Sequence, residues 1–208
     1  MCMWRFILRE NADNYRRLVD REDDEERKRS FRALLDATER ELADLHDASH
    51  RARAARDAAT ARALGIALNE AVRAHGADFG NIQLYEPETQ CLLIGAQRNF
   101  RKPFLDHFAV VAAGDGSACG AALSQAAPIW VEDINHDPAF AAILDIASET
   151  GFRAVQSMPL VASGKMVGML STHFRSPRKW SGDEQRQAVA HARGLAGAVA
   201  GLLERFRV

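Results

Sequence analysis

AVQSMPLVASGKMVGMLSTHF, Ala154 to Phe174, reads as a β-hairpin. Two strands, Arg153–Ala162 and Met166–Phe174, are rich in apolar and β-branched residues, and the Ser163–Lys165 turn between them carries the glycine a tight reversal needs. Upstream, Ile129–Asp133 (IWVED) is a further strand. So are Phe79–Pro87 (FGNIQLYEP) and Cys91–Phe100 (CLLIGAQRNF), joined by the turn PETQ. Helical signals lie between them. Pro103–Val111 is a short helix, and Gly114–Gln125 (GDGSACGAALSQ) is a glycine-rich turn entering another. Asp137–Gly151 carries an aspartate cap, a proline at the first helical position and a glycine stop. An alanine-rich helix, Asp57–His75, ends at Gly76 on one side, and a long helix, Ser181–Arg207, closes the chain on the other. Strands paired as hairpins with helices packed on them make an antiparallel α+β domain.

The segment before residue 55 has a different character. Nearly half its residues are charged and it contains no glycine. The boundary is therefore set there: 1–54 as an N-terminal helical segment, 55–208 as the α+β domain. Trp4–Val19 is one helix, with Ile7, Tyr15, Leu18 and Val19 on a stripe. After the acidic break, Asp23 or Asp24 caps a second helix whose Phe31, Leu35, Thr38, Leu42 and Leu45 alternate by four and three, the spacing of a coiled-coil seam. A helical hairpin packed on itself and a dimerising coiled coil both satisfy this pattern.

The chain has 208 residues, 47% of them hydrophobic and 26% charged, with a net charge of −1. That balance supports a packed core and gives no footprint for nucleic acid. The one basic cluster, Arg175–Lys179, is a single loop. No apolar run reaches the ~18 residues of a membrane span. Cys2, Cys91 and Cys119 are far apart and odd in number, which excludes a disulfide framework and fits a reducing cytoplasm. The histidines show no metal-ligand spacing, so no metal site is expected, and the sequence leaves any cofactor unknown. Leu45–Arg53 (LHDASHRAR) reads as a solvated helix, not a phosphoacceptor, because no nucleotide-binding domain accompanies it.

The stretches GADFGNIQLYEP, GDGSACGAAL, VEDINHDPAF and AVQSMPLVASGKMVGMLSTHF, in this order, resemble the GAF family of sensor modules in bacterial signalling proteins. The resemblance covers Asp57–Arg207. It implies a GAF-like antiparallel sheet that binds a small ligand on one face and packs terminal helices on the other, often as a dimer. It also implies a signalling partner such as a histidine kinase. The GDGSACG segment is similar to the part of free methionine sulfoxide reductases that carries a redox cysteine, here Cys119, which implies a thiol-dependent reductase as the alternative activity. This sequence departs from those enzymes. No second cysteine occurs in Asn135–Gly151, and their acidic ligand-binding positions match Val155, Ser171 and His173. The Cys-His pair of phytochrome-type domains is absent too.

Residue by residue, Ser171 and His173 alternate on one strand face, and Ser157 is placed on the same face. Cys119, in the first turn of its helix, is either activated by the helix dipole or a small apolar residue packing helix on sheet. Asp133 either faces the same cleft or caps a turn. The face crossed by irregular, glycine-containing segments packs less completely than the one under long helices. A ligand cleft is therefore expected between Ser157, Ser171 and His173 below and Cys119, Asp133 and Phe140 above. No catalytic constellation is found, so the expected role is a non-enzymatic, homodimeric sensory protein binding an unidentified small molecule or sensing redox state.

Overall fold

A computed structural model describes residues 3–44 and 50–204, with side chains from 7 to 42 and from 58 to 204. Cys2, Leu45 of the seam, residues 45–49 of the LHDASHRAR segment and the chain beyond 204 lie outside the described residues. The chain divides into two compact units, Met1–Arg62 and Ala63–Val208.

In the first unit, α1 (Met3–Arg21) and α2 (Glu25–Asp44) pack as a hairpin across the short Glu22–Asp24 connection. Asp24 is the residue that caps α2: its Oδ1 accepts from the backbone N–H of Glu26 (2.9 Å) and Arg27 (3.0 Å). These bonds also hold its carboxyl below the usual carboxylate range. Leu8, Ala12 and Tyr15 of α1 are buried. Phe31, Leu35 and Leu42 of α2 are only half-buried, so the predicted seam keeps part of its apolar surface open to solvent in the single chain. Arg16 joins the two helices through Glu39 (2.7 Å). The third helix, α3 (His50–Ala74), begins in this unit and ends in the second.

The second unit is built on a six-stranded antiparallel sheet in the order β3-β2-β1-β6-β5-β4. Its strands are β1 (Phe79–Glu86), β2 (Cys91–Arg98), β3 (Val110–Val111), β4 (Ile129–Val131), β5 (Ala154–Ala162) and β6 (Lys165–Phe174). The deciding hairpin is β5–β6, in register from Ala154↔Phe174 to Ala162↔Lys165. Its turn is shorter than the sequence reading. Ser163 (φ +49°) and Gly164 (φ +74°) alone make it, both left-handed, the two-residue form whose twist matches that of the strands. At Gly168 the backbones of β6 and β1 approach so closely that a Cβ would run into the carbonyl oxygen of Gln83. On the far side of β5, β4 pairs only with Val155–Ser157, so Pro159 sits past its end.

The connections differ from the sequence reading in two places. The helix expected over Pro103–Val111 is α4 (Lys102–His107). Val110 and Val111 leave it to form β3 against Leu93 and Leu92, as β-branched residues facing a free strand edge do. Asp137–Gly151 is not one helix. Asp137 caps a 3₁₀ stretch, Pro138–Ile143, which is broken at Phe140 (φ −111°, ψ 17°) before α6 (Leu144–Thr150) begins. Helix α5 (Ala118–Gln125) follows the glycine-rich turn, and α7 (Gly182–Glu204) closes the unit. At its start Ser181 and Glu184 bond each other's backbone N–H (3.3 and 2.8 Å), a reciprocal cap.

The two sheet faces hold separate cores. One face buries Ile82, Met158 and Leu170 against Leu68 of α3 and Leu195 and Val199 of α7. The other buries Phe79, Val155 and Met169 beneath Phe104, Phe108 and Phe152 of the crossing segments. The helix-covered face also carries a polar chain. Gln156 Nε2 donates to Thr172 Oγ1 (2.9 Å) and His75 Nδ1 (2.9 Å). That bond leaves the His75 proton on Nε2, which donates to His191 Nδ1 of α7 (3.2 Å). Burial first, then the neighbouring His191 and Arg178, bring the His75 pKa down to about 4.

Candidate functional site: a buried polar cavity

Strand alternation decides what faces the crossing segments. Asn81 and Gln83 of β1 lie opposite Ser171 and Met169 of β6, while Val155 and Ser157 of β5 lie opposite His173 and Ser171. The expectation that Ser157, Ser171 and His173 share one face therefore holds, and α5 lays Cys119 over it. Cys119 Sγ is 3.1 Å from Ser171 Oγ and 3.6 Å from Ser157 Oγ, and the two hydroxyls are 2.8 Å apart. All three residues are buried.

Cys119 occupies the first turn of its helix, as the sequence indicated, but the dipole does not activate it. Burial pushes the thiol up, outweighing the serine hydrogen bonds that pull it down. The helix start is also already engaged. Ser117 Oγ accepts from Gly120 N–H (2.9 Å) and donates to Asp115 Oδ1 (2.6 Å), which also accepts from Ser117 N–H (2.9 Å). A protonated thiol between two hydroxyls is replaceable by a third hydroxyl, so Cys119→Ser is expected to change stability by no more than about 1 kcal/mol. Urea titration of the two proteins checks this.

Beside this trio lies a cavity of about 20 Å³, room for one water-sized molecule. Asn81, Gln83, Ser117, Cys119 and His173 line it together with Phe104, Phe108, Ala118, Ile143, Phe152 and Val155. Four polar atoms there are buried and have no hydrogen-bond partner: Asn81 Oδ1, Gln83 Nε2, Gln83 Oε1 and His173 Nδ1. His173 is ringed by Phe100, Phe104 and Phe152, each edge-on at 4.7–5.7 Å between centroids, and burial alone lowers its pKa to about 3. It is neutral at physiological pH.

Of the residues singled out from sequence, Cys119 and His173 reach the cavity directly. Ser157 and Ser171 are buried beneath Cys119, and Phe140 is buried in the surrounding core. Asp133 does not line it. Its carboxylate accepts from Arg153 (2.6 and 2.9 Å), His136 (2.8 Å) and Asn135 N–H (3.2 Å). Those bonds, Arg153 foremost, hold its carboxyl far below the usual range. Asp133 caps the short 3₁₀ turn Ile134–His136 that leads into the crossing segments. Asn81 and Gln83 were not anticipated. Their signal was present in FGNIQLYEP, where two carboxamides alternate with Ile82 and Leu84. Among the described residues, no group of His, Cys, Asp and Glu side chains is placed to hold a metal ion.

An antiparallel sheet with long helices on one face and a polar cavity under short crossing segments on the other is the arrangement of a GAF domain. The family model described as "GAF domain" matches residues 57–200, and the chain belongs to that family. Among solved structures, the GAF domain of a phosphoenolpyruvate-protein phosphotransferase from Acinetobacter is similar, with TM-score 0.59 and 17% identity over 72% of this chain and 87% of that one. A type II free methionine-R-sulfoxide reductase from Thermoplasma acidophilum aligns with TM-score 0.57 and 15% identity over 71% and 96%. The chromophore-binding domain of a bacteriophytochrome from R. palustris gives TM-score 0.51 and 19% identity over 70% and 57%. No curated protein sequence matches the chain. Likeness at these identities is likeness of fold.

Proposed function

We propose that this GAF protein is a sensory module without catalysis of its own. It binds a small molecule in the Asn81–Gln83–His173 cavity and transmits occupancy through its flanking helices. The observation that carries the reading is the set of four unpartnered polar atoms around one cavity. Leaving such atoms unpaired is unfavourable by about 1–3 kcal/mol each, and a ligand that pairs them recovers that. The route to the helices follows from strand alternation. Ser157 and Ser171 touch Cys119 on the cavity side, and their neighbours Gln156 and Thr172 hold His75 and, through it, His191 of α7. Signalling requires only that the ligand favour one helix arrangement over another. Native mass spectrometry of freshly purified protein is the test. A retained small molecule that Ala118→Leu, a cavity-filling change, no longer holds is the expected result. Protein that is always bare, and that no compound stabilises against heat, would overturn it.

The rival reading is a thiol-dependent reductase at Cys119, favoured by the thiol's place on the cavity wall. Burial, which keeps the thiol protonated, supports the sensory reading instead. Loss of methionine sulfoxide in the presence of a dithiol reductant, abolished by Cys119→Ser, would reverse the choice.

We also infer a homodimer in the cytoplasm, coupled to a partner such as a histidine kinase. The half-buried Phe31, Leu35 and Leu42 favour a second copy, and the free, buried Cys91 and Cys119 suit a reducing compartment. No helix among the described residues is long and apolar enough to cross a membrane. Light scattering at micromolar concentration should give twice the chain mass, falling toward one when Phe31→Glu and Leu35→Glu are combined. A wild-type monomer ends this inference.

A further inference from the structure

We propose that the occupant of the cavity is an uncharged, planar molecule presenting a cyclic-amide edge, a ring N–H beside a carbonyl oxygen, to Gln83 and Asn81. This rests on reading the cavity as a ligand site, and it names the chemistry that the site selects.

The donor and acceptor inventory sets the requirement. Gln83 is fully buried, with both Oε1 and Nε2 unpartnered, and Asn81 Oδ1 is unpartnered two residues along the same strand face. The occupant must therefore donate to two carbonyl oxygens and accept from one amide N–H. A carboxylate or phosphate ester only accepts, and would leave Gln83 Oε1 and Asn81 Oδ1 facing its negative charge. An ammonium only donates, and leaves Gln83 Nε2 unmet. A lactam offers N–H and C=O side by side, the complement of a carboxamide, and a cyclic urea adds the second donor for Asn81. His173 Nδ1 takes either role according to tautomer.

Charge excludes the same classes independently. No Asp, Glu, Lys or Arg is among the lining residues. The positive end of α5, the feature that would draw an anion, is already occupied by the Asp115 carboxylate through Ser117. An ionic ligand would be stripped of water here with no countercharge. The apolar walls are the rings of Phe104, Phe108 and Phe152 with Ala118, Ile143 and Val155, which suit a flat apolar-faced molecule. The present space admits only a water-sized group, so the amide edge itself also needs added room. Seating a whole ring requires the side chain of Phe104 or Ile143 to swing aside, and both belong to short helical pieces, α4 and Pro138–Ile143.

The test uses the full chain and defined probes. 2-Imidazolidinone and uracil are the neutral ones; acetate, glycine and methylammonium are the charged ones. Binding is read by NMR from the side-chain amides of Gln83 and Asn81, and by calorimetry. The neutral probes should shift the Gln83 amide saturably, and the charged probes should not. Gln83→Leu should weaken neutral-probe binding by about tenfold or more while melting no lower than wild type, since it removes two unpaired buried atoms. Asn81→Ala, which empties only the second donor's partner, is the independent variant should Gln83→Leu misfold, and it should weaken the cyclic urea. Gln83-dependent binding of a charged probe in place of the neutral ones would overturn the ligand class and leave the site standing. If no probe binds, and a high-resolution crystal structure shows one water shared by Gln83, Asn81 and His173, both the class and the site fall.

Discussion

Gly168→Ala is expected to destabilise the protein by about 3 kcal/mol, among the largest effects of any single methyl group in the chain. Gly168 pairs with Leu84 across β6 and β1, and the added Cβ would press on the backbone carbonyl of Gln83, not on the end of a movable side chain. Two central strands must part to relieve that contact. The same separation displaces Gln83, whose carboxamide forms one wall of the cavity, so ligand binding should fall along with stability. Gly194→Ala on α7, where a Cβ meets nothing within 4 Å, is the control and should be neutral or slightly stabilising. Urea denaturation of both variants checks the contrast. A Gly168→Ala protein as stable as wild type would show that β1 and β6 are not held as described.

Mild acid should be the second large perturbation. His75 and His173 titrate near 6.5 when unfolded, but at about 4 and about 3 in the folded chain. Between those values the unfolded state binds more protons than the native state, so stability rises with pH across the window and is lost as pH falls from about 6.5. Going from pH 7 to pH 5, the two residues together should remove roughly 4 kcal/mol, a large share of a typical domain's margin. The groups facing His75 are His191, Arg178, Gln156 and Thr172, with no carboxylate among them. His173 is surrounded by phenylalanine rings. The carboxylates held low, Asp24, Asp133 and Glu184, lose their contribution only as pH falls below the ordinary carboxylate range, outside this interval. Thermal melts at pH 7, 6 and 5 should show the loss. His75→Gln should flatten part of it, and His173→Phe another part. A melting temperature unchanged between pH 7 and 5 would contradict the burial of both rings.

How much of this was legible in the sequence depended on whether local pattern or distant neighbours decided the outcome. The β5–β6 hairpin could be read because turn chemistry and apolar runs are local, and a cap at Asp23 or Asp24 because a short acidic side chain before a helix has few other uses; the structure chooses Asp24. The shared face of Ser157, Ser171 and His173 followed from period-two geometry. What was missed or left open was set by contacts remote in sequence. Val110 and Val111 became a strand because β2 offered them an edge, which no feature of PFLDHFAVV announces. The sequence leaves Cys119 between an activated thiol and a small residue packing helix on sheet, and burial that only the folded sheet supplies decides for the second. Asp133 turned outward because Arg153, twenty residues on, claims its carboxylate. Asn81 and Gln83 were visible as alternating carboxamides. Their importance rests on the folded core, which leaves the Gln83 carboxamide and Asn81 Oδ1 without partners.

Pro159 has a consequence outside folding and sensing. It stands on β5 just where β4 has run out, so from Met158 to Ala162 one side of that strand has no neighbouring strand. Val161 there is 43% exposed. An open β edge with apolar side chains is a template on which another molecule's strand can add, the first step toward aggregates. Proline has no N–H to offer such a newcomer, and it interrupts the ladder at the first position beyond Ser157 where alternation would present one. The ring acts as a guard at the sheet's weakest margin. It disfavours strand-to-strand addition between copies of the chain along that margin.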